Sequence, residues 1–342
     1  MYTNRLISIL TPVFNQEPYI EETIRSVLNQ TYENWEWIIC DDGSTDNTGK
    51  IIKEVRDVRI KYIFQEHMGP HHLVKSFNKA LSMSNGKLIA MLDGDDYWPD
   101  YKLEVQVKNF DSPDIVLSYG ECIMVNKNGS TVQYRTLPAD PHIASNDPIG
   151  SSLKLFLFKR DGFITNSTVM LDKEALLSIG GFIEAKGLSQ DFPTWTTLSL
   201  EGRFAANPLC LGYRRMHLSS TSYAADREAH MEDGINFLRE FVLSNRQKLV
   251  DLGFFYGRDI LEEHWKRLNP YARYYSRAIA ALSCGSFKEA KTAFKKFLEK
   301  DASLKQKLIY SLVVLSSFLQ FDVVNPLVTF KAKLAKKFGS IW

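Results

Sequence analysis

The chain has 342 residues, of which 44% are hydrophobic and 24% charged, with a net charge of +2. That length suits about two domains and a sizeable core. The near-neutral balance, with no basic stretch interleaved with stacking aromatics, excludes a nucleic-acid partner. Four scattered cysteines, Cys40, Cys122, Cys210 and Cys284, form no CxxC, which argues against zinc or a disulfide framework and for a reducing compartment.

The first third alternates regularly. Residues 6–10 (LISIL) read as a buried strand, and 17–30 as a helix with Ile20, Ile24, Val27 and Leu28 on one face. A strand is expected at 35–40 (WEWIIC), a capped amphipathic helix at 43–55 and a strand at 60–64. A helix at 72–84 ends at Asn85-Gly86, and a fourth strand occupies 87–92. Strands alternating with helices make βαβ units and a parallel sheet, so the class is α/β.

Ligands of such sheets bind beyond the carboxyl ends of the strands. Strand one runs out into TPVFN (11–15), strand two into DDGSTD (41–46) and strand four into DGDD (93–96). Two acidic clusters therefore share one rim. A solvated acidic turn is the plain reading, but Tyr97 and Trp98 follow Asp96 at once, where Ser, Asn or Lys would suit water better. The alternative is a hard cation, Mg²⁺ or Mn²⁺, for which Asp oxygens and substrate phosphates are natural ligands.

Farther along, 114–126 reads as strands, 128–130 as a turn, 167–182 as strand, helix and glycine stop, and 189–202 as polar and then helical. Residues 213–222 (YRRMHLSSTS) read as a polar loop after a strand. From about 230 helical patterns dominate. Residues 274–303 look like a helix pair broken at Cys284-Gly285, 308–321 are strongly apolar, and 330–342 carry four lysines with Phe and Trp anchors. The N-terminus is too short and interrupted for a signal peptide, and no stretch of 18 apolar residues makes a span. The apolar run and lysine tail suit either a packed core helix or an interfacial element on anionic lipid.

Taken together, TPVFN (11–15), SVLNQTYENWEWIICDDGSTDNT (26–48), NKALSMSNGKLIAMLDGDDYWPD (78–100), GGF (180–182) and QDFPTW (190–195) resemble glycosyltransferase family 2, over residues 5–225. The resemblance implies a GT-A fold, with a catalytic domain at 1–228 and a helical region at 229–342. The catalytic domain would divide into a nucleotide-sugar half (1–110) and an acceptor half (111–228). It implies an inverting displacement on a nucleotide-sugar, a UDP-sugar before others, toward a glycan, lipid-linked or protein-linked acceptor, with a divalent metal, Mn²⁺ or Mg²⁺. The setting would be cytoplasmic, at the inner face of the cell membrane.

Carried over by position, Asp191 matches the general base of an ED-like motif, with Gln190 in place of the usual Glu. Asp93 and Asp95 would hold the metal, and His217 matches a histidine that joins the metal or diphosphate in some members. Thr11, Pro12, Phe14, Asp41 and Asp42 would meet the nucleoside, and Asp93 and Gly94 the donor. His72 or Lys75 would stand in for a basic residue at the nucleotide. Asp96, Trp98 and Gln190 fall on the acceptor side.

Plainer roles exist for several of these. Asp42 and Asp191 would serve as helix caps, Asp96 would bond its own turn, His217 would sit on the surface and Trp98 in the core. A haloacid-dehalogenase-type phosphatase needs its nucleophilic Asp on the first strand, where this chain has TPVFN. An inactive transferase-like scaffold would be expected to lose the acids that this chain keeps.

Overall fold

In a computed structural model, the structure describes residues 4–69, 72–159, 163–185, 191–217, 227–254 and 287–298. The first elements are β1 (Ile7–Val13), α1 (Ile20–Leu28), β2 (Trp35–Asp41), α2 (Thr48–Glu54), β3 (Ile60–Phe64), α3 (Leu73–Ser82) and β4 (Leu88–Met91). They follow the expected order and lie close to the expected bounds. Then come α4 (Lys102–Val107), β5 (Ile115–Asn126), β6 (Thr131–Arg135), α5 (Pro141–Ser145), β7 (Met170–Asp172) and α6 (Lys173–Ser178). The last are α7 (Asp191–Leu198), β8 (Arg203–Met216), α8 (Arg227–Ser244), α9 (Arg246–Asp251) and α10 (Phe287–Leu298).

The described residues fall into two compact units. The first takes those of 1–122, 136–214 and 228–265, and the second those of 123–135, 215–227 and 266–342. In the first unit the sheet order is β3-β2-β1-β4-β7-β5, with β8 paired to β5. β1 lies parallel between β2 and β4, β3 is parallel to β2, and β7 is antiparallel to both β4 and β5.

Both faces of this sheet are covered, which is why its strands read as unbroken apolar runs. Ile7, Ile9, Trp37, Ile39, Leu88 and Ala90 face one way and pack with Ile20, Ile24 and Val27 of α1, Ile52 of α2 and Leu103 of α4. The alternate residues Leu10, Ile38, Ile89 and Met91 face the other way, against Val74, Phe77 and Leu81 of α3, Leu176 of α6, and Trp195 and Leu198 of α7. The period of two along each strand sets these two layers.

At the amino ends of the strands, one buried acid ties four segments together. Glu36 of β2 accepts from Ser8 Oγ of β1 (2.7 Å), Lys61 Nζ of β3 (2.6 Å), and the backbone N–H and side-chain amide of Asn85 before β4. Burial alone would raise its pKa, but Lys61 first, and then the Asn85 and Ser8 donors, outweigh burial and hold it down to about 2.

In the second unit, the outer end of β5 turns at Gly129 into β6, with Asn126 N–H donating to Ser130 O at 2.9 Å. Arg215, 4% exposed, donates to the carbonyls of Asn126 and Lys127. On α10, Ala290 and Phe294 are buried one turn apart, while Lys288, Lys291 and Lys295 are exposed. The break at 284–285, the apolar run 308–321 and the lysine tail 330–342 lie outside the described residues, as does the second half of the 213–222 stretch. Its first four residues are not loop but the end of β8, because Tyr213 pairs with Tyr97. No helix among the described residues is long and apolar enough to cross a membrane.

Candidate active site

The carboxyl ends of β1 and β2 are laced together by short polar side chains. Asn15, at φ +50°, donates its N–H to Ser44 Oγ and accepts from the Thr45 N–H. The Gln16 N–H donates to Thr48 Oγ1, and the Glu17 N–H to Asp46. Gly94 closes the rim against β1, because a Cβ there would stand 2.7 Å from Val13 Cγ1. The central position of the D-G-D turn is thereby restricted to glycine.

Beyond β4 the turn 93–96 is held from below. Thr23 Oγ1 of α1 donates to the carbonyls of Gly94 and Asp96, and the Asp96 N–H to Asp93 O. Residues 166–168, a single 3-10 turn before β7, supply the side-chain partners. Asn166 Nδ2 donates to Asp93 Oδ1 at 2.8 Å, and Ser167 Oγ to Asp96 Oδ2 at 2.5 Å. Asn166 Oδ1 is itself buried and, among the described residues, has no hydrogen-bond partner.

Tyr97 and Tyr213 exchange backbone hydrogen bonds as an isolated antiparallel bridge, and their rings stack 4.6 Å apart. That register sets Arg214 of β8 opposite Asp96. The electrostatics agree. Burial works against the Arg214 charge, but Asp96, Asp93 and Asp191 outweigh it and hold the guanidinium more firmly protonated than usual.

The acids feel the converse. Burial, then the Asp95 carboxylate, push Asp93 up to about 7 although Arg214 and Asn166 pull it down, and Asp191 adds to the rise. Asp96 is raised well above the carboxylate range by burial, then by Asp95 and Asp93. Burial and mutual repulsion thus dominate over the attractive contacts at Asp93 and Asp96. Asp191, the first residue of α7, belongs to the same field, and its Oδ1 accepts from the Phe192 N–H at 2.8 Å.

A second group lies past β1 and β2. The Phe14 ring is exposed and stacks on His67. Asp42 caps no helix: it accepts from Gln65 Nε2 (2.8 Å), the Met68 N–H (3.1 Å) and His67. Asp41, 1% exposed, is committed to Tyr62 OH (2.6 Å) and the Ser44 N–H. Thr11 and Pro12 are buried, and Thr11 Oγ1 accepts from the Trp37 indole at 2.8 Å. His72 precedes α3 with its Nδ1 buried and, among the described residues, unpartnered, whereas Lys75 is exposed.

The structure therefore brings Asp93, Asp95, Asp96 and Asp191 into one field, and sets Phe14 and Asp42 together beside His67. Trp98 is a core residue, 4% exposed, with its indole N–H on Ser167 O and Lys102 Nζ over its ring. His217, 6% exposed, follows β8 in the second unit, and Gln190 lies outside the described residues. Sequence reasoning missed Arg214, Asn166, Ser167 and His67. The pairing of β8 with Tyr97 was the signal needed for Arg214, and nothing local to the sequence announces it. Among the described residues no three His, Cys, Asp or Glu side chains form a metal cage.

A doubly covered, mostly parallel sheet with its acids at the carboxyl rim is the GT-A architecture. The sequence pattern described as Glycosyl transferase family 2 matches residues 8–180. The UDP-Glc:alpha-D-GlcNAc-diphosphoundecaprenol beta-1,3-glucosyltransferase WfgD of Escherichia coli is 31% identical over 240 residues, 69% of this chain and 87% of its own length. A second enzyme of the same description from that organism, WfaP, is 29% identical over 261 residues, 76% of this chain and 95% of its own. The crystal structure of S. aureus TarS 1-349 in complex with UDP is similar at a TM-score of 0.53 and 16% identity, covering 94% of this chain and 90% of that one. The chain belongs to glycosyl transferase family 2 and is a glycosyltransferase.

Proposed function

We propose that the enzyme transfers a sugar from a UDP-sugar to a hydroxyl of a lipid-linked glycan at the cytoplasmic membrane face, with inversion at the anomeric carbon. The WfgD and WfaP names, both of glucosyltransferases acting on a diphosphoundecaprenol-linked sugar, support the donor and acceptor classes. The apolar and basic segment 306–342 would supply peripheral membrane contact.

The observation that carries the reading is the gathering of Asp93, Asp95, Asp96 and Asp191 in one field at the carboxyl rim, with Arg214 among them. Hard oxygen donors gathered at a strand-end rim fit Mg²⁺ or Mn²⁺, and such ions keep open positions for water and phosphate, so no protein cage of three is required. Asp93 and Asp95 would hold the ion, with Asn166 Oδ1 as a further oxygen. When bound, the ion neutralises charge that develops on the leaving diphosphate. Phe14 and Asp42 bind the nucleoside, and His72 Nδ1 supplies a nearby polar group. Asp191 takes the proton from the acceptor hydroxyl. As the acceptor oxygen attacks C1 from the face opposite the diphosphate, the C1–phosphate oxygen bond breaks. Arg214 offsets part of the repulsion among the acids around it.

Screening UDP-, GDP- and dTDP-sugars for metal-dependent thermal stabilisation, followed by transfer to a diphosphate-lipid sugar, tests the reading. Stabilisation by a UDP-sugar only with divalent metal, and a product of inverted configuration, are expected. Product with retained configuration, or full activity in EDTA, contradicts it.

A further inference from the structure

His67 has no part in the acid cluster, yet it is built into the rim. It follows β3, and its ring lies 3.9 Å from the Phe14 ring, centroid to centroid, at an interplanar angle of 16°. Its Nδ1 stands 2.8 Å from Asp42 O and 3.0 Å from Asp42 Oδ2. Both neighbours are acceptors, so Nδ1 carries the proton. The same Asp42 carboxylate takes the Met68 N–H and the Gln65 amide, which fastens the 65–68 segment to the D-D-G turn. Gly43 sits so close under His67 that a Cβ would meet its backbone nitrogen at 2.7 Å, and its φ of +78° also excludes one.

This arrangement is held by several contacts, and it is exposed. Phe14 is 38% exposed and the His67 side chain 42%. An apolar ring left open at a rim, backed on one face by an anchored second ring, is suited to a planar ligand on its other face. Asp42 retains acceptor capacity for an N–H of that ligand, since a carboxylate offers about four lone-pair sites.

We infer that His67 is a positioning residue for the donor nucleobase: it holds the Phe14 ring from behind and orients the Asp42 carboxylate, so that the base stacks as the third ring on Phe14. The inference rests on the proposed use of a nucleoside diphosphate donor and gives that site a residue of its own.

Three variants separate the two contacts. His67→Ala removes both, His67→Phe keeps the stack, and His67→Asn keeps a donor to Asp42 without the ring. Titration calorimetry with Mn²⁺ and whichever of UDP, GDP or dTDP binds the wild type tightest reads the effect, alongside steady-state kinetics and inorganic pyrophosphate as a base-free control. His67→Ala and His67→Asn should weaken nucleotide binding and raise donor KM on the order of tenfold, the scale of one aromatic stack. His67→Phe should lose less than about threefold on the same scale. All three should keep kcat, acceptor KM and pyrophosphate affinity.

A His67→Ala protein that binds nucleotide as the wild type does overturns the inference. So does one that binds more tightly, because the imidazole would then be occupying the place of the base. An equal loss of pyrophosphate affinity also overturns it, since the effect would then not lie at the base. A wild type that binds no nucleoside diphosphate at all overturns the donor reading and this inference with it.

Discussion

Glu36, buried, and Asp93, half-buried, lie at opposite ends of the parallel strands, and their surroundings treat them oppositely. Glu36 meets an ammonium, a hydroxyl, an amide and a backbone N–H, and is held ionised down to about pH 2. Asp93 meets an amide and the Arg214 guanidinium, but burial and the Asp95 and Asp191 carboxylates outweigh them and push it up to about 7. Burial costs a charge several kcal/mol wherever it happens. At the amino end the chain supplies the compensation itself, and the result is a joint among β1, β2, β3 and the turn before β4. At the carboxyl end repulsion among the acids outweighs the Asn166 and Arg214 contacts at Asp93, an arrangement that the proposed cation would relieve.

The comparison breaks most visibly through activity. Asp93→Asn should lower transfer by about 1,000-fold or more, the scale of losing a main electrostatic stabiliser, while thermal melts show no loss of stability. Comparable destabilisation in both the Asp93 and the Glu36 variants would erase the distinction. Asp191→Asn should cut kcat by about 100- to 10,000-fold, the range for a general base, with donor affinity retained by calorimetry. Near-normal turnover on a native acceptor would remove Asp191 from that role.

Glu36→Gln should instead cost about 2 kcal/mol, typical of hydrogen bonds to a charged group. That is roughly 4–8 °C in melting temperature for a domain of this size. Donor KM and kcat at 20–25 °C should be unchanged. A melt unaffected by the substitution would show the amino-end joint to be dispensable.

The last effect is a matter of slope against pH. Glu36 has a folded pKa below its ordinary value, so its stabilisation is complete above about pH 4.5 and is lost as the pH falls toward about 2. Asp93 has a folded pKa above its ordinary 3.8, so the folded state holds the extra proton between there and about 7, and stability falls as the pH rises across that window. Each contributes at most about 1.4 kcal/mol per pH unit. Melts of wild type and Asp93→Asn from pH 4 to 8 should differ in slope above pH 4, the variant being flatter, and parallel curves would contradict the assignment.

Much of this was legible in the sequence. The alternation of apolar runs and 3.6-residue patterns through residue 92 placed each strand and helix, because strands buried on both faces carry the strongest local signal. The rim acids were legible too, since strand ends are fixed once strands are. Three things were not. Thr11 and Trp98 read as site residues, but their polar atoms are bonded inside the core to Trp37 and Ser167, which only packing decides. Arg214 lay within a stretch that reads as loop, and its place opposite Asp96 depends on a two-residue bridge between positions 97 and 213. His67 matters through a ring contact with Phe14, 53 positions earlier in the chain, and no periodicity encodes such a pair.

The central proposal is that the rim acids hold a cation that in turn binds the donor diphosphate. Calorimetric titration of UDP into wild type and Asp93→Asn, each with and without Mn²⁺, tests it most directly. The account predicts that Mn²⁺ strengthens UDP binding to wild type by about 100-fold or more, roughly 2.7 kcal/mol, and barely changes binding to Asp93→Asn. Equal enhancement of both proteins by Mn²⁺, or none in the wild type, would contradict it.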